Sequence, residues 1–405
     1  MTKRVLIVTT NFWPEPTGSG PYASDLAKSL KLNNYSVQVL TGMPHYPWWE
    51  VPETFQENLE TLENLDGIHV VRGAHYVPKK LNIISRFRFE ISLINGLRRS
   101  SKRLQVRDFE LIISIGSSIA GGLVAKDLSR KWRVPYGIVL HDLAGEGVSQ
   151  SGLSGGSLIA GVVSRIERKI LDSATGIVAI SQKMREVIIK MGIEESKVKT
   201  ILLYAPNPIN PIDRNVARDK LRWKSKDFVV IHTGNMGAKQ DLENVVLAAD
   251  KLKDNLHVKI YLVGHGNQEN KLRTLCKGKR NVFLMPAVPD DQYSFLLSAA
   301  DLLLVNERET QTEMSLPSKL TSYLYSNRPV LAAVPRGGAT WNFLEGVAEL
   351  IDAGDPEKLA KKILDLSEDQ LRLDQLAVIG MKFAYENLSP QVGRTKYLDW
   401  VESLI

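Results

Sequence analysis

Short β-branched and aliphatic runs alternate with helix-length segments along the whole chain. In the first half the runs are Val5–Thr10, Val37–Thr41, His69–Val71, Leu111–Ile115, Gly137–Leu140 and Gly176–Ile180. They are near-continuous in apolar residues, as expected for parallel strands covered on both faces. Tyr204 to Asn215 then carries Pro206, Pro208 and Pro211 among asparagines, a stretch unable to pair in a central strand or to continue a helix. Beyond it the alternation restarts with Phe228–Thr233, Val258–Val263, Val282–Leu284, Leu302–Val305, Pro329–Ala333 and Ala348–Ile351. The pattern predicts two doubly wound α/β domains in tandem, 1–203 and 216–380, with 204–215 as linker and 381–405 as terminal helices packed through Phe383, Tyr397 and Trp400. Two such sheets are expected to turn their strand carboxyl ends, and so their ligand-binding loops, toward a central cleft.

Composition adds little beyond this: 405 residues, 43% hydrophobic and 24% charged, suit a globular protein with two cores. A single cysteine, Cys276, precludes an intrachain disulfide and points to a reducing compartment, the cytoplasm, with the thiol expected at the surface. The run Val5–Val8 after Lys3-Arg4 is too brief for a signal-peptide core or a spanning helix and reads as a first strand. Charge changes the picture more. The net charge of +7 lies wholly in the first half, and the segment Lys79–Arg107 alone holds nine basic residues against one acid, Glu90.

Loops at the predicted strand ends carry the candidate chemistry. Asn11 to Tyr22 follows the first run. Gly18 and Gly20 flank Ser19 and allow close backbone approach, and Pro21 suits a first helical position. Amides opening that helix would face an anion, or the glycines serve a tight turn alone. Gly234-Asn235-Met236-Gly237-Ala238-Lys239-Gln240 follows the first run of the second half and leads into the helical pattern Leu242, Val245, Val246, Ala249. A freed backbone and a lysine at a helix start suit a diphosphate, each charge-assisted hydrogen bond contributing about 1.5–3 kcal/mol. The Walker spacing is absent.

Downstream, Glu313 to Leu320 offers Ser315 or Ser318 as a helix cap and Lys319 as a second cation. The stretch Gly264 to Glu269 approximates the dinucleotide fingerprint, but Glu269 replaces its third glycine and would repel a pyrophosphate. This argues against a nicotinamide enzyme and leaves Gly264 in a turn beside a nucleotide base. In the first half, Gly137–Leu140 ends in His141-Asp142-Leu143-Ala144-Gly145-Glu146, suited to acid–base contacts or simply a loop histidine held by its neighbouring aspartate. Neither an Asp-x-Asp pair nor HExxH nor a Cys/His cluster occurs, so no metal is expected.

These residues carry a resemblance. Trp13–Gly20, Met43-Pro-His-Tyr-Pro-Trp48, His141-Asp142-Leu143, Gly234–Lys239, Leu316-Pro-Ser-Lys-Leu320 and Arg328-Pro-Val330 are similar, over essentially the whole chain, to a family of sugar-transferring enzymes. The chain resembles a GT-B-fold retaining glycosyltransferase of family four, of the bacterial polysaccharide, O-antigen and colanic-acid type. The resemblance implies two Rossmann-like domains, with the last helix crossing back to the first. It implies a UDP- or GDP-linked sugar donor as substrate, no cofactor, and a lipid-linked or saccharide acceptor. It places Gly18, Ser19 and Gly20 by the reacting phosphate and His141 and Asp142 at the donor sugar. Gly234, Asn235, Gly237, Lys239, Gly264, Ser318, Lys319, Leu320 and Ser322 then surround the donor, with Lys239 as the catalytic cation and Ser318 and Lys319 on the diphosphate. Two departures stand out: the family's arginine ahead of the lysine is Asn235 here, and its ribose-binding glutamate is Ser322. In such a transferase the acceptor attacks as the nucleotide diphosphate departs, so cations at the leaving group matter more than a nucleophile. A nucleotide-sugar epimerase, a phosphorylase or a non-catalytic sugar-nucleotide-binding partner fits the same architecture.

Within Lys79–Arg107, Phe87, Ile91 and Ile94 recur at helical spacing among arginines. The segment is either an amphipathic surface for an anionic membrane, where each basic residue contributes about 1 kcal/mol, or a core-packed helix with a solvated basic face. The first reading puts the chain peripherally on the inner face of the cell membrane. Nucleic acid is not expected, because aromatic and basic residues are not interleaved over an extended surface.

Overall fold

The computed structural model describes residues 2–56, 62–79, 82–116, 119–144, 156–310 and 316–405. It contains two compact units, residues 1–202 with 393–405, and residues 203–392. The first is built from β1 (Arg4–Thr9), α1 (Gly20–Leu32), β2 (Ser36–Gly42), α2 (Glu53–Gln56), β3 (Leu62–Leu65), β4 (Ile68–Gly73), α3 (Ile83–Ser100), β5 (Leu111–Ile115), α4 (Ile119–Trp132), β6 (Tyr136–Leu140), α5 (Gly156–Asp172), β7 (Gly176–Ala179), α6 (Gln182–Lys190) and β8 (Val198–Thr200). Its sheet runs β3-β4-β2-β1-β5-β6-β7-β8, parallel except for the β3–β4 hairpin. The central strands read as unbroken apolar runs because both faces are covered.

The edges escaped the sequence reading. β3, Leu-Glu-Asn-Leu, is half polar and at least partly exposed at every position, and β8 is only three residues long. The hairpin signal was nevertheless present: Asp66 and Gly67 both have positive φ, 51° and 78°, the Asp-Gly turn that joins antiparallel strands.

The terminal helix α15 (Pro390–Glu402) places Gly393 onward in the first unit. Trp400, 1% exposed, fills a slot made by Gly137 and Gly176, register partners on β6 and β7. A Cβ on Gly137 would come within 2.6 Å of the indole, so glycine at that position is a packing requirement. Arg394 grips Asp25 of α1 through both carboxylate oxygens, at 2.5 and 3.0 Å.

The second unit holds α7 (Arg214–Leu221), β9 (Phe228–Asn235), α8 (Leu242–Lys251), β10 (Val258–His265), α9 (Glu269–Cys276), β11 (Val282–Met285), α10 (Asp290–Ser298), β12 (Leu302–Asn306), α11 (Lys319–Tyr325), β13 (Val330–Val334), α12 (Ala339–Leu344), β14 (Glu349–Asp352), α13 (Pro356–Ser367) and α14 (Gln370–Asn387). Its all-parallel sheet runs β11-β10-β9-β12-β13-β14, reversing direction between β9 and β12. The proline-rich stretch packs into this unit: Tyr204 is buried, the Ala205 amide donates to Leu388 O at 3.1 Å, and the Ile212 amide donates to Ser298 Oγ at 3.0 Å. The expected surface cysteine is half-buried against the core of α8, β10 and neighbouring strands, and burial pushes the Cys276 thiol pKa up.

Candidate functional site

In the second unit the loop after β9 is held from several directions. The β9–β10 ladder runs to Gly234–Gly264 and Asn235–His265, two residues beyond the expected strand ends. It can do so because both glycines have positive φ, and a Cβ on Gly264 would lie 1.9 Å from Gly234 O. Gly266 faces the Met236 backbone, where a Cβ would meet it at 2.4 Å. The near-fingerprint glycines therefore seat one loop on another.

The Lys239 loop does not open an α-helix directly. It forms a short 3₁₀ turn, Ala238–Gln240, before Asp241 in the left-handed region and α8. Asn306, at the end of β12, donates from one amide nitrogen to Gln240 O (2.9 Å) and Asp241 O (3.0 Å), and accepts from Asn244 (3.0 Å). The Arg308 amide donates to Lys239 O at 2.8 Å. The backbone of Lys239 is thus fixed while its side chain is exposed.

At the head of α11, Lys319 is half-buried and its ammonium is enclosed, 3.1 Å from His232 Nε2. Burial lowers its pKa from 10.5 to about 7, against the pull of Glu307. Glu307 itself is pushed up by burial, opposed by the Thr340 hydroxyl at 2.7 Å and by Lys319 and Lys239. One carboxylate thus faces two lysines on separate loops.

Ser318 stands before α11 in helical conformation (φ −58°, ψ −25°), and its hydroxyl makes no capping hydrogen bond among the described residues. The expected cap is corrected: a capping side chain needs an extended backbone to reach the following amides. Ser315 and Glu313 lie outside the described residues. Leu320 is 1% exposed, its side chain in the core and its amide bonded to Pro317 O at 3.0 Å. Ser322 hydrogen-bonds Tyr293, which joins the Thr233 hydroxyl at 3.0 Å, while the Tyr323 hydroxyl accepts from the Thr233 amide at 2.7 Å.

In the first unit the loop after β1 closes on Glu15, 3% exposed. Its carboxylate accepts from Asn11 Nδ2 (3.0 Å), Phe12 N (3.0 Å), His45 N (2.9 Å) and Tyr46 N (2.8 Å), cross-linking the loops after β1 and β2. Gly18, with φ +69°, packs under the Tyr46 ring, where a Cβ would approach to 3.1 Å. Ser19 bonds Asn11 Oδ1 at 3.3 Å, and Gly20 opens α1 against Glu15 O. The glycine loop is rigid because a buried acid fills its centre.

His141, at the end of β6, lies edge-on to Tyr22 with centroids 5.2 Å apart. Burial lowers its pKa to about 4, and its sealed Nε2 has no hydrogen-bond partner among the described residues. The ring is neutral near pH 7, which leaves a hydrogen bond rather than a resident acid as its chemistry. Asp142 is exposed and accepts from the Leu143 amide at 2.9 Å. Glu167 supports the loop through Ala144 N at 2.8 Å, and Glu146 lies outside the described residues.

Of the two readings of the Lys79–Arg107 segment, the core-packed helix does not hold for Phe87 and Ile91. The buried stripe of α3 is Phe89, Leu93 and Leu97, whereas Phe87 is 65% exposed and Ile84 and Ile91 are also exposed. Arg86 is exposed on the same helix, and Arg88 stacks over Tyr76 at 4.8 Å. Among the described residues no helix is long and apolar enough to cross a membrane.

Comparison with known proteins places this architecture. Residues 17–203 match the family described as "Glycosyl transferase 4-like domain", and residues 213–381 match "Glycosyl transferases group 1". WcaI of Escherichia coli (strain K12), named as a colanic acid biosynthesis glycosyl transferase, is 27% identical over 338 residues, covering 79% of this chain and 81% of its own. Among solved structures, HepE of Anabaena in complex with UDP superposes with a TM-score of 0.69 at 16% identity, covering 99% of this chain and 100% of its own. Sucrose-phosphate synthase of Thermosynechococcus elongatus superposes at 0.74 and 14% identity, covering 100% and 99%. The chain belongs to the GT-B-fold glycosyltransferases of family four.

Proposed function

We propose that this glycosyltransferase moves a sugar from a UDP- or GDP-linked donor to a lipid-linked saccharide, with retention of anomeric configuration, in the assembly of cell-surface polysaccharide. The observation that carries the donor reading is the pair of lysines, Lys239 and Lys319, held around Glu307 beyond the ends of β9 and β12. In this reading Lys239, on a backbone fixed by Asn306 and Arg308, meets the charge that develops on the departing diphosphate. The amides from Gly18 to Gly20 offer donors of the kind an anion takes, and the neutral His141 ring, whose Nε2 is buried without a partner among the described residues, would reach a sugar hydroxyl only where the ring turns or the loop beside it opens.

The comparisons support the donor and product classes: HepE was solved with UDP and with UDP-glucose, and WcaI is named for colanic acid biosynthesis. The exposed Ile84, Phe87 and Ile91 among the arginines of α3 support an anionic membrane surface as the place where the acceptor is met. The experiment is transfer of labelled sugar from UDP- and GDP-sugars to extracted bacterial glycolipids, with the product anomer read by NMR. Labelled lipid with the donor's anomeric configuration is expected. Inverted product overturns retention, and donor binding without transfer to any acceptor overturns the catalytic reading in favour of a sugar-nucleotide-binding partner.

A further inference from the structure

His232 sits on the central strand β9 of the second sheet at 0% exposure, where an imidazole is tolerated only if its polar atoms are satisfied. Its two ring nitrogens meet different partners. Nδ1 lies 3.1 Å from Leu304 O on the neighbouring strand β12, an atom that can only accept, so Nδ1 carries the hydrogen. Nε2 is then a bare lone pair, and it lies 3.1 Å from Lys319 Nζ, which can donate to it. The opposite tautomer would set two donors against each other and leave the carbonyl without a proton. A second proton on the ring is excluded by burial and by Lys319, which both hold its pKa well below 6.5. The ring is therefore a fixed, neutral acceptor buried in the sheet.

We propose that His232 is a positioning residue for donor binding: it takes one N–H of Lys319 and thereby aims the remaining ammonium hydrogens toward the diphosphate of the nucleotide. This rests on the donor reading above and extends it to a strand residue with no substrate contact of its own. Among the described residues, the groups that act on Lys319 are His232 on β9 and Glu307 after β12, and Glu307 is in turn under the influence of Lys239. With only Glu307 opposing its burial, Lys319 gives up its proton near pH 7 in the unliganded protein. An arriving diphosphate favours the charged form, so binding draws a proton from solution.

The test is UDP binding by calorimetry at pH 7.5 in buffers of different ionisation enthalpy, on the full chain, its His232→Gln and His232→Leu variants and Lys319→Met. Gln presents an oxygen near the Nε2 position; Leu fills the space and presents none. We expect proton uptake by the wild type, its loss in Lys319→Met, and UDP affinity weakened at least tenfold in His232→Leu but less than threefold in His232→Gln. Melting temperatures are read on the same samples: a positioning role weakens UDP binding in His232→Leu relative to His232→Gln by far more than any difference in melting temperature accounts for, and an affinity loss that only tracks lost stability overturns it. Equal affinities in the Leu variant and the wild type overturn the role of His232. Binding without proton uptake overturns the role given to Lys319. A wild type that binds no UDP, GDP, ADP or dTDP overturns the donor reading and this inference with it.

Discussion

In the first unit the loop after the leading strand closes on a buried carboxylate, Glu15, whereas in the second it closes on a buried amide, Asn306. Glu15 accepts from donors on both sides of its loop, so the polar capacity of that loop is directed inward and little beyond glycine backbone is left to meet a ligand. Asn306 is uncharged and binds the carbonyls of the Lys239 loop, which leaves the local field to the charged side chains around it, Lys239, Lys319 and Glu307, with Asp241 and Arg308 beside them. Two loops in equivalent places of similar sheets thus differ in where their charge points. One is a rigid former, and the other presents cations.

The contrast breaks most sharply at Lys239. Lys239→Ala is expected to lower kcat/KM by about 100-fold or more, the scale of losing one preorganised charge at a developing anion, with thermal unfolding unchanged. Near-normal turnover would remove the residue from its assigned role. Glu15→Ala should do the opposite: at about 1–3 kcal/mol for each buried donor left unsatisfied, it destabilises the first unit and broadens its unfolding. Denaturant titration of that variant would contradict the account if the midpoint stayed at the wild-type value.

Acid exposes the first unit in a related way. His75 and His141 are held by burial at about 3 and about 4, below the ordinary 6.5, so between 6.5 and 4 the unfolded chain binds protons that the folded chain does not. Stability should therefore fall as pH drops through that window. Melting curves from pH 7.5 to 5 should show a steeper decline in the wild type than in His75→Leu, and parallel curves would count against it. The smallest effect is expected at the surface. Phe87→Ser on α3 should leave folding intact and weaken sedimentation with anionic vesicles by severalfold, and retention of full binding would exclude Phe87 from the membrane contact.

The central strands were readable because a parallel strand buried on both faces writes its burial as a local run of apolar residues, as in Leu111–Ile115. Among the edge strands, β11 and β14 of the second sheet kept enough of an apolar run to be read, whereas β3, half polar, and β8, three residues long, went unseen. Loop position was legible where glycine marks a backbone requirement, at Gly18, Gly234 and Gly264. Lys239 and Lys319 stood out as charges beside such loops. Glu15, His232, Asn306, Glu307 and Tyr323 did not, because their meaning comes from partners on other strands: His232 is an unremarked letter until Leu304 O and Lys319 Nζ are seen on either side of it. For the same reason the expectation for Ser318 failed, since its backbone dihedrals decide what its hydroxyl can reach.

The most direct test of a nucleotide-sugar-dependent transferase is thermal-shift screening of the unmodified chain against UDP, GDP, ADP and dTDP and their common sugars, because a ligand that binds only the folded state must stabilise it, by about 2.7 kcal/mol at a hundred times its Kd. A rise in melting temperature with UDP or GDP and their sugars, and not with the other nucleotides, is the predicted result; no shift with any of them would contradict the account.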